Sequence, residues 1–143
     1  MLGFVGQNEF QVDPKGRVSL PSAYRRGVSG NVFVLFQWQP THLDLCPEET
    51  WMGIQEKLLE FRRTQPDRGA YFRRIVSHAV EVEPDKQGRI RVPSFLRESA
   101  GLGGTILLIG AIDRVELWNP ERYETAQESG REDDGEFASS IFG

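Results

Sequence analysis

The chain has 143 residues, 38% of them hydrophobic and 27% charged, with a formal net charge of −4, a composition that excludes a disordered polymer and implies a folded body. Its longest apolar run, residues 105–112, falls far short of the roughly 20 residues of a membrane helix, and the opening MLGFVGQNEF lacks the basic leader and apolar region of a secretory signal. The lone cysteine, Cys46, excludes an intrachain disulfide and fits a reducing compartment, so the cytoplasm is the expected location.

In chain order, strands are predicted at about 7–12 and 17–20, joined by Asp13-Pro14-Lys15-Gly16. Asp at the first position, Pro at the second and Gly at the fourth are the preferences of a type I turn. A short helix anchored by Pro21 and Ser22 follows, then strands at 32–37 and 42–46. Pro47-Glu48-Glu49 opens a longer helix in which Trp51, Ile54, Leu58 and Phe61 share one face. Pro66 and Gly69 interrupt it, and it resumes before Ile75.

The same order then returns. Asp13-Pro14-Lys15-Gly16-Arg17-Val18-Ser19-Leu20-Pro21-Ser22 is matched by Asp85-Lys86-Gln87-Gly88-Arg89-Ile90-Arg91-Val92-Pro93-Ser94, 72 positions later. Arg25 matches Arg97, the strand from Val32 to Phe36 matches Thr105 to Ile109 with a one-residue slip, and Leu43-Asp44-Leu45 matches Val115-Glu116-Leu117. The second copy also ends on a helix, with Asn119 as N-cap and Pro120 at the first helical position. Strand, strand, helix, strand, strand argues against parallel βαβ winding and for an α+β unit with mainly antiparallel pairing.

A pI near 5.3 argues at first against a nucleic-acid partner, because Lys and Arg carry phosphate binding. The acids are unevenly placed, however. Residues 126–143 hold five acids against one base, which accounts for the whole net charge and leaves the other 125 residues neutral. A neutral body still presents a local positive field wherever its bases gather, and five arginines stand against one acid between positions 62 and 74.

The duplicated Asp-x-x-Gly-Arg-x-x-x-Pro, with its arginine-rich helical connector, resembles the MraZ family, whose units are similar to the AbrB-type DNA-binding fold. Arg73-Arg74 shortly before His78-Ala79, and Val115-Glu116-Leu117-Trp118, extend the resemblance over residues 1 to about 126. It implies an α+β fold of duplicated AbrB-like swapped-hairpin units, of the double-split β-barrel type, with a helical connector. The expected division is a first repeat at 1–54, a connector at 55–79, a second repeat at 80–126 and an acidic flexible tail at 127–143. The implied function is a nucleoid-associated regulator, a repressor, of the division and cell-wall gene cluster including its own promoter. It would bind direct repeats in double-stranded DNA as a ring-like homo-oligomer. The alternative is an oligomeric protein-interaction scaffold without DNA binding.

Carry-over of DNA contact falls on Asp13, Lys15, Gly16 and Arg17 and on Asp85, Gly88 and Arg89, with Gln87 of the second loop replacing Lys15. Turn chemistry alone accounts for the aspartates and glycines. Lys15 and Arg17 suit guanine O6 and N7 in a major groove, and Arg17 is expected to project from its turn without supporting a core. Arg89 is either a base contact or the internal partner of Asp85. The connector arginines read as interface or solvated groups before phosphate contacts, and Trp51, Phe61, Tyr71, Phe72 and Trp118 as core or subunit contacts. No enzyme is expected, since the chain has no Walker A loop, Rossmann glycine pattern or nucleophile elbow. Neither a metal nor a cofactor is expected, because His42, His78 and Cys46 have no metal-ligand spacing.

Overall fold

The computed structural model describes residues 2–26, 28, 30–130 and 134–143. Its elements follow the repeat. The first copy supplies β1 (Gln7–Gln11), β2 (Arg17–Ser19), α1 (Ser22–Arg25), β3 (Phe33–Gln39), β4 (His42–Pro47) and α2 (Glu48–Thr64). A 3-10 turn at Pro66–Arg68 and α3 (Gly69–Ser77) lead into the second copy, with β5 (Val80–Val82), β6 (Arg89–Arg91), α4 (Ser94–Ser99), β7 (Thr105–Gly110), β8 (Val115–Trp118) and α5 (Pro120–Ser129). The segment read as an acidic tail carries α6 (Asp134–Phe142), every residue of it exposed; Arg131, Glu132 and Asp133 lie outside the described residues.

The fold is α+β, with antiparallel pairing throughout. A six-stranded sheet runs β1-β7-β8-β4-β3-β5, and β2 and β6 form a second, two-stranded sheet. Both sheets join the two copies. β1 of the first copy pairs with β7 of the second, and β5 of the second with β3 of the first. Registers match across the copies: Phe10 faces Ile106 as Val82 faces Phe33. At the centre Val18 faces Ile90, and Asp44 faces Glu116, each residue opposite its own counterpart in the other copy. A local two-fold axis through these two pairs relates the halves.

One apolar core serves both copies. Val18, Leu20, Tyr24, Leu35, Leu43 and Leu45 pack with Ile90, Val92, Leu96, Ile106, Leu108 and Leu117, all nearly inaccessible. Strand alternation puts Leu43 and Leu45 on that side of β4 and His42, Asp44 and Cys46 on the other. A half-exposed strand would leave the second set in water, yet it is buried too. Val34, Phe36 and Cys46 cluster there with Trp51 and Ile54 of α2, and the rings of Phe36 and Trp51 stand 5.0 Å apart.

The connector keeps its expected break. Pro66 starts the 3-10 turn, and the Gln65 N–H closes α2 on the Phe61 carbonyl at 2.8 Å. The arginines stay at the surface, where Arg63 pairs with Glu60 and Arg62 lies over the Phe72 ring. No residue of α2 is fully buried. Trp51, Leu58, Leu59, Phe72 and Val76 instead line a groove of ≈ 220 Å³ between α2 and α3, and Met52, Leu59 and Val76 are exposed. Among the described residues no helix is long and apolar enough to cross a membrane.

Candidate nucleic-acid interface

Both repeated loops are tight turns with a left-handed glycine, each leading from the large sheet into the two-stranded one. The Gly16 N–H donates to the Asp13 carbonyl at 2.9 Å, and the Asp13 N–H donates to the Arg17 carbonyl at 2.9 Å. Asp85 repeats these bonds with Gly88 and Arg89 at 2.9 and 2.8 Å. Gly16 and Gly88 both have φ near +78°, which L side chains rarely adopt. Pro14 and Lys15 are exposed at the first tip, Lys86 and Gln87 at the second, and the two glycines are buried beneath.

Each aspartate holds its own loop. Asp13 Oδ1 accepts from the backbone N–H groups of Lys15 and Arg17 at 2.9 and 2.8 Å, and Oδ2 accepts from Arg17 Nε at 2.7 Å. Asp85 does the same with Gln87 and Arg89, at 2.9, 2.9 and 3.0 Å. The structure corrects the expectation of a freely projecting Arg17, because its Nε is committed to Asp13. Arg89 is the internal partner of Asp85 by the same geometry.

Pairing of β2 with β6 sets the two loops side by side. The Leu20 N–H reaches the Gly88 carbonyl and the Val92 N–H the Gly16 carbonyl, each at 2.8 Å. Arg89 Nη1 comes within 3.6 Å of Asp13 Oδ2, and Arg17 Nη1 within 4.0 Å of Asp85 Oδ2. Asp13, Arg17, Asp85 and Arg89 thus close a ring of alternating charge over the local axis. All seven carried-over residues, Asp13, Lys15, Gly16, Arg17, Asp85, Gly88 and Arg89, fall in this one patch, with Arg91 exposed opposite Arg17.

Arg25 and Arg97 belong to the patch and were not among the sequence-based candidates. Their Nε atoms donate to the carbonyls of Leu20 and Val92, both at 3.2 Å. From there Arg25 lies against Gly88 and Arg97 against Gly16, so a Cβ on Gly88 would meet the Arg25 guanidinium at 2.9 Å. Their match across the repeat was the available signal. Only the strand exchange shows that each guanidinium supports the loop of the other copy.

The carboxyls of Asp13 and Asp85 sit below the ordinary carboxylate range, first because the N–H of Arg17 or Arg89 donates to each. A depressed folded pKa means that the stability these groups lend is present above their unfolded pKa of about 3.9, and is lost as pH falls through the lower folded value. Melting temperature is therefore expected to fall more steeply with acid below about pH 4, and Asp13→Asn with Asp85→Asn should flatten that limb. Thermal melts across the acid range check it.

A second polar cluster lies on the same axis, inside the sheet. His42 and Asp44 are 2% and 0% exposed, and burial, followed by repulsion from Glu116, pushes the Asp44 carboxyl up to about 7.

Comparison with known proteins places the chain. The family model described as "MraZ protein, putative antitoxin-like" matches residues 4–73 and 75–137, one stretch for each copy of the repeat. The transcriptional regulator MraZ of Heliobacterium modesticaldum is 40% identical over 125 residues, 87% of each chain. That of Pelotomaculum thermopropionicum is 40% identical over 85% of this chain and 83% of its own. Its namesake in Coxiella burnetii is 36% identical over 87% of this chain and 85% of its own. These relatives are named as regulators rather than enzymes, and with matches of this extent across both copies the chain belongs to the MraZ family.

Proposed function

We propose that the chain is a transcriptional regulator that binds promoter DNA through the paired Asp-x-x-Gly-Arg loops. The observation that carries this reading is their juxtaposition: β2 and β6 bring two basic, rigid tips to one patch, where Lys15, Lys86, Arg91 and the Nη groups of Arg17 and Arg89 are available to phosphates and guanine edges. Strand exchange between the copies supports assigning the units to the AbrB-like swapped-hairpin class, with the repeats at 1–54 and 80–126, the connector at 55–79 and the tail at 127–143.

The full reading is a repressor acting on the division and cell-wall gene cluster and on its own promoter, in the cytoplasm and associated with the nucleoid. One patch offers little area, so operators would be direct repeats engaged by several subunits of a ring-like homo-oligomer, each bound loop raising the effective concentration of the next. The exposed apolar groove between α2 and α3 supports such an assembly. The protein-interaction scaffold draws support from a different observation, since the loop arginines are already neutralised by Asp13 and Asp85.

Fluorescence anisotropy on the protein's own upstream DNA, with light scattering of the same sample, separates the two. A regulator should form a multi-subunit species and lose about 10³-fold in affinity or more between roughly 50 and 200 mM salt, as counterions are released from several phosphates. An intact oligomer that fails to bind this DNA even at low salt would leave the scaffold.

A further inference from the structure

The antiparallel register of β4 and β8 sets Asp44 opposite Glu116 and His42 opposite Trp118. His42 Nε2 stands 3.6 Å from Asp44 Oδ1 and 3.5 Å from Glu116 Oε2, and one ligand atom from each residue lies within 4.8 Å of the other two. Two of the three side chains, those of His42 and Asp44, are almost wholly buried. Even so, among the described residues no side-chain or backbone group makes a hydrogen bond with His42 Nε2 or either Asp44 oxygen, although Arg114 and Trp38 both favour the charged form of Asp44. Leaving such groups unsatisfied is costly, the more so when they are charged, so the cluster is aimed at something.

The separations indicate what. The two from His42 Nε2 are too long for hydrogen bonds, but they approach the edge of a tetrahedron about a metal ion. Zn–N and Zn–O bonds near 2.1 Å place neighbouring ligand atoms about 3.4 Å apart. The outer groups are in place as well. Thr41 Oγ1 lies 2.8 Å from His42 Nδ1; with the proton on Nδ1 donated to that hydroxyl, the Nε2 lone pair faces the carboxylates. Trp118 Nε1 donates to Glu116 Oε1 at 2.9 Å, which fixes that carboxylate and leaves Oε2 for the cluster. Hydrogen-bond partners that orient a histidine and a carboxylate in this way commonly stand behind the ligands of a metal ion. Trp118 also stacks on the imidazole, ring centroids 4.4 Å apart, and holds its plane.

The repeat makes the site single. Asp44 and Glu116 are counterparts across the axis, but the counterpart of His42 is Arg114, whose guanidinium hydrogen-bonds to Asp113 at 3.0 and 3.1 Å. Only one flank of the carboxylate pair therefore offers a nitrogen ligand. Glu116, 25% exposed, opens a path from solvent.

We propose that His42 Nε2, Asp44 Oδ1 and Glu116 Oε2 bind one divalent cation of the zinc class, with water completing the coordination. The imidazole nitrogen and the small number of protein ligands favour zinc over calcium or magnesium, which take oxygen ligands in larger shells. Bound there, the ion fastens β4 of the first copy to β8 of the second at the middle of the large sheet. Its role is structural, because binding only the folded chain stabilises that chain by mass action.

The test uses the full chain, stripped with a chelator and titrated with zinc chloride by calorimetry and thermal melting. One zinc per chain is expected, with Tm raised by about 8 °C at a free zinc concentration 100 times Kd. Cobalt(II) in place of zinc should give the intense visible absorption of a tetrahedral site. Glu116→Gln, at a partly exposed position where folding should survive, and His42→Gln should each weaken zinc binding by about 100-fold or more. His78→Gln, at the exposed end of α3, should bind as the parent does. Failure of the parent to take up zinc at micromolar concentration would overturn the site and leave the cluster to a proton. Undiminished uptake by both ligand variants would overturn it too, by placing the metal elsewhere.

Discussion

Arg17→Ala is expected to lose most promoter binding while keeping its fold and its assembly. Asp13 retains the two backbone N–H bonds that shape the turn, and Arg17 and Asp13 are 29% and 24% exposed. An ion pair so accessible to water contributes little to stability, so Tm should fall by no more than about 4 °C. Recognition is affected far more. With Nε committed to Asp13 and Nη1 4.0 Å from Asp85 Oδ2, beyond hydrogen-bond range, the Nη groups of Arg17 would serve guanine on the proposed reading, and a lost bidentate contact costs about 1–3 kcal/mol for each bound subunit. If several subunits engage direct repeats, as proposed, each loses the contact and the deficit compounds. Arg89→Ala removes the same type of ion pair from a loop that has Gln87 in place of Lys15, so its DNA deficit should be smaller at a similar loss of Tm. Anisotropy, melting and light scattering on the two variants decide it. Parental affinity in Arg17→Ala would make the first loop a turn and nothing more.

Ile90→Ala acts from beneath the same patch. Ile90 is 0% exposed, faces Val18 across the local axis and lies one residue from Arg89. Truncating a fully buried isoleucine costs about 2–5 kcal/mol in transfer and cavity terms, which in a chain of this size lowers Tm by roughly 10 °C. Since β2 and β6 hold the loops side by side through this contact, promoter affinity should fall even at temperatures where the variant is folded. Val92→Ala is a useful companion, also buried in the core but outside β6. A melting curve and an anisotropy titration at low temperature separate the two effects. If Ile90→Ala melts within about 2 °C of the parent, the core is not shared at this point.

Features that depend on neighbours in sequence were readable before any coordinates. Asp13 and Gly16 specify a turn within four residues, and Asn119 caps α5 through its own Oδ1 on the N–H groups of Glu121 and Arg122. Trp51, Ile54, Leu58 and Phe61 mark α2, and Pro66 its end. Features that depend on pairing between the copies were not. The pairing of Arg17 with Asp13 is local, four residues apart, whereas the approach of Arg17 to Asp85 and of Arg89 to Asp13 depends on β2 lying against β6. The alternation of Leu43, Asp44 and Leu45 gives no sign that the polar face of β4 is covered, so Asp44 entered only as part of the repeat match and His42 was set aside as isolated. The metal-ligand patterns sought were local ones, whereas Asp44 and Glu116 meet across 72 positions. Helix α6 was hidden by its Gly, Ser and acidic residues, although Phe137 and Ile141 stand one helical turn apart.

The two-fold register of the halves has a consequence for what a bound duplex presents to the protein. Identical subunits related by a true dyad read the same message from either strand and favour palindromes. Here the dyad is only approximate, because it relates two stretches of one chain whose loop tips are Lys15 and Gln87 and whose inner strands carry Ser19 and Arg91. Turning the duplex end for end would exchange unlike side chains over the same bases. On the proposed reading, each chain would therefore have a head and a tail with respect to the helix it reads, and a site written in one orientation would not be equivalent to its inverse.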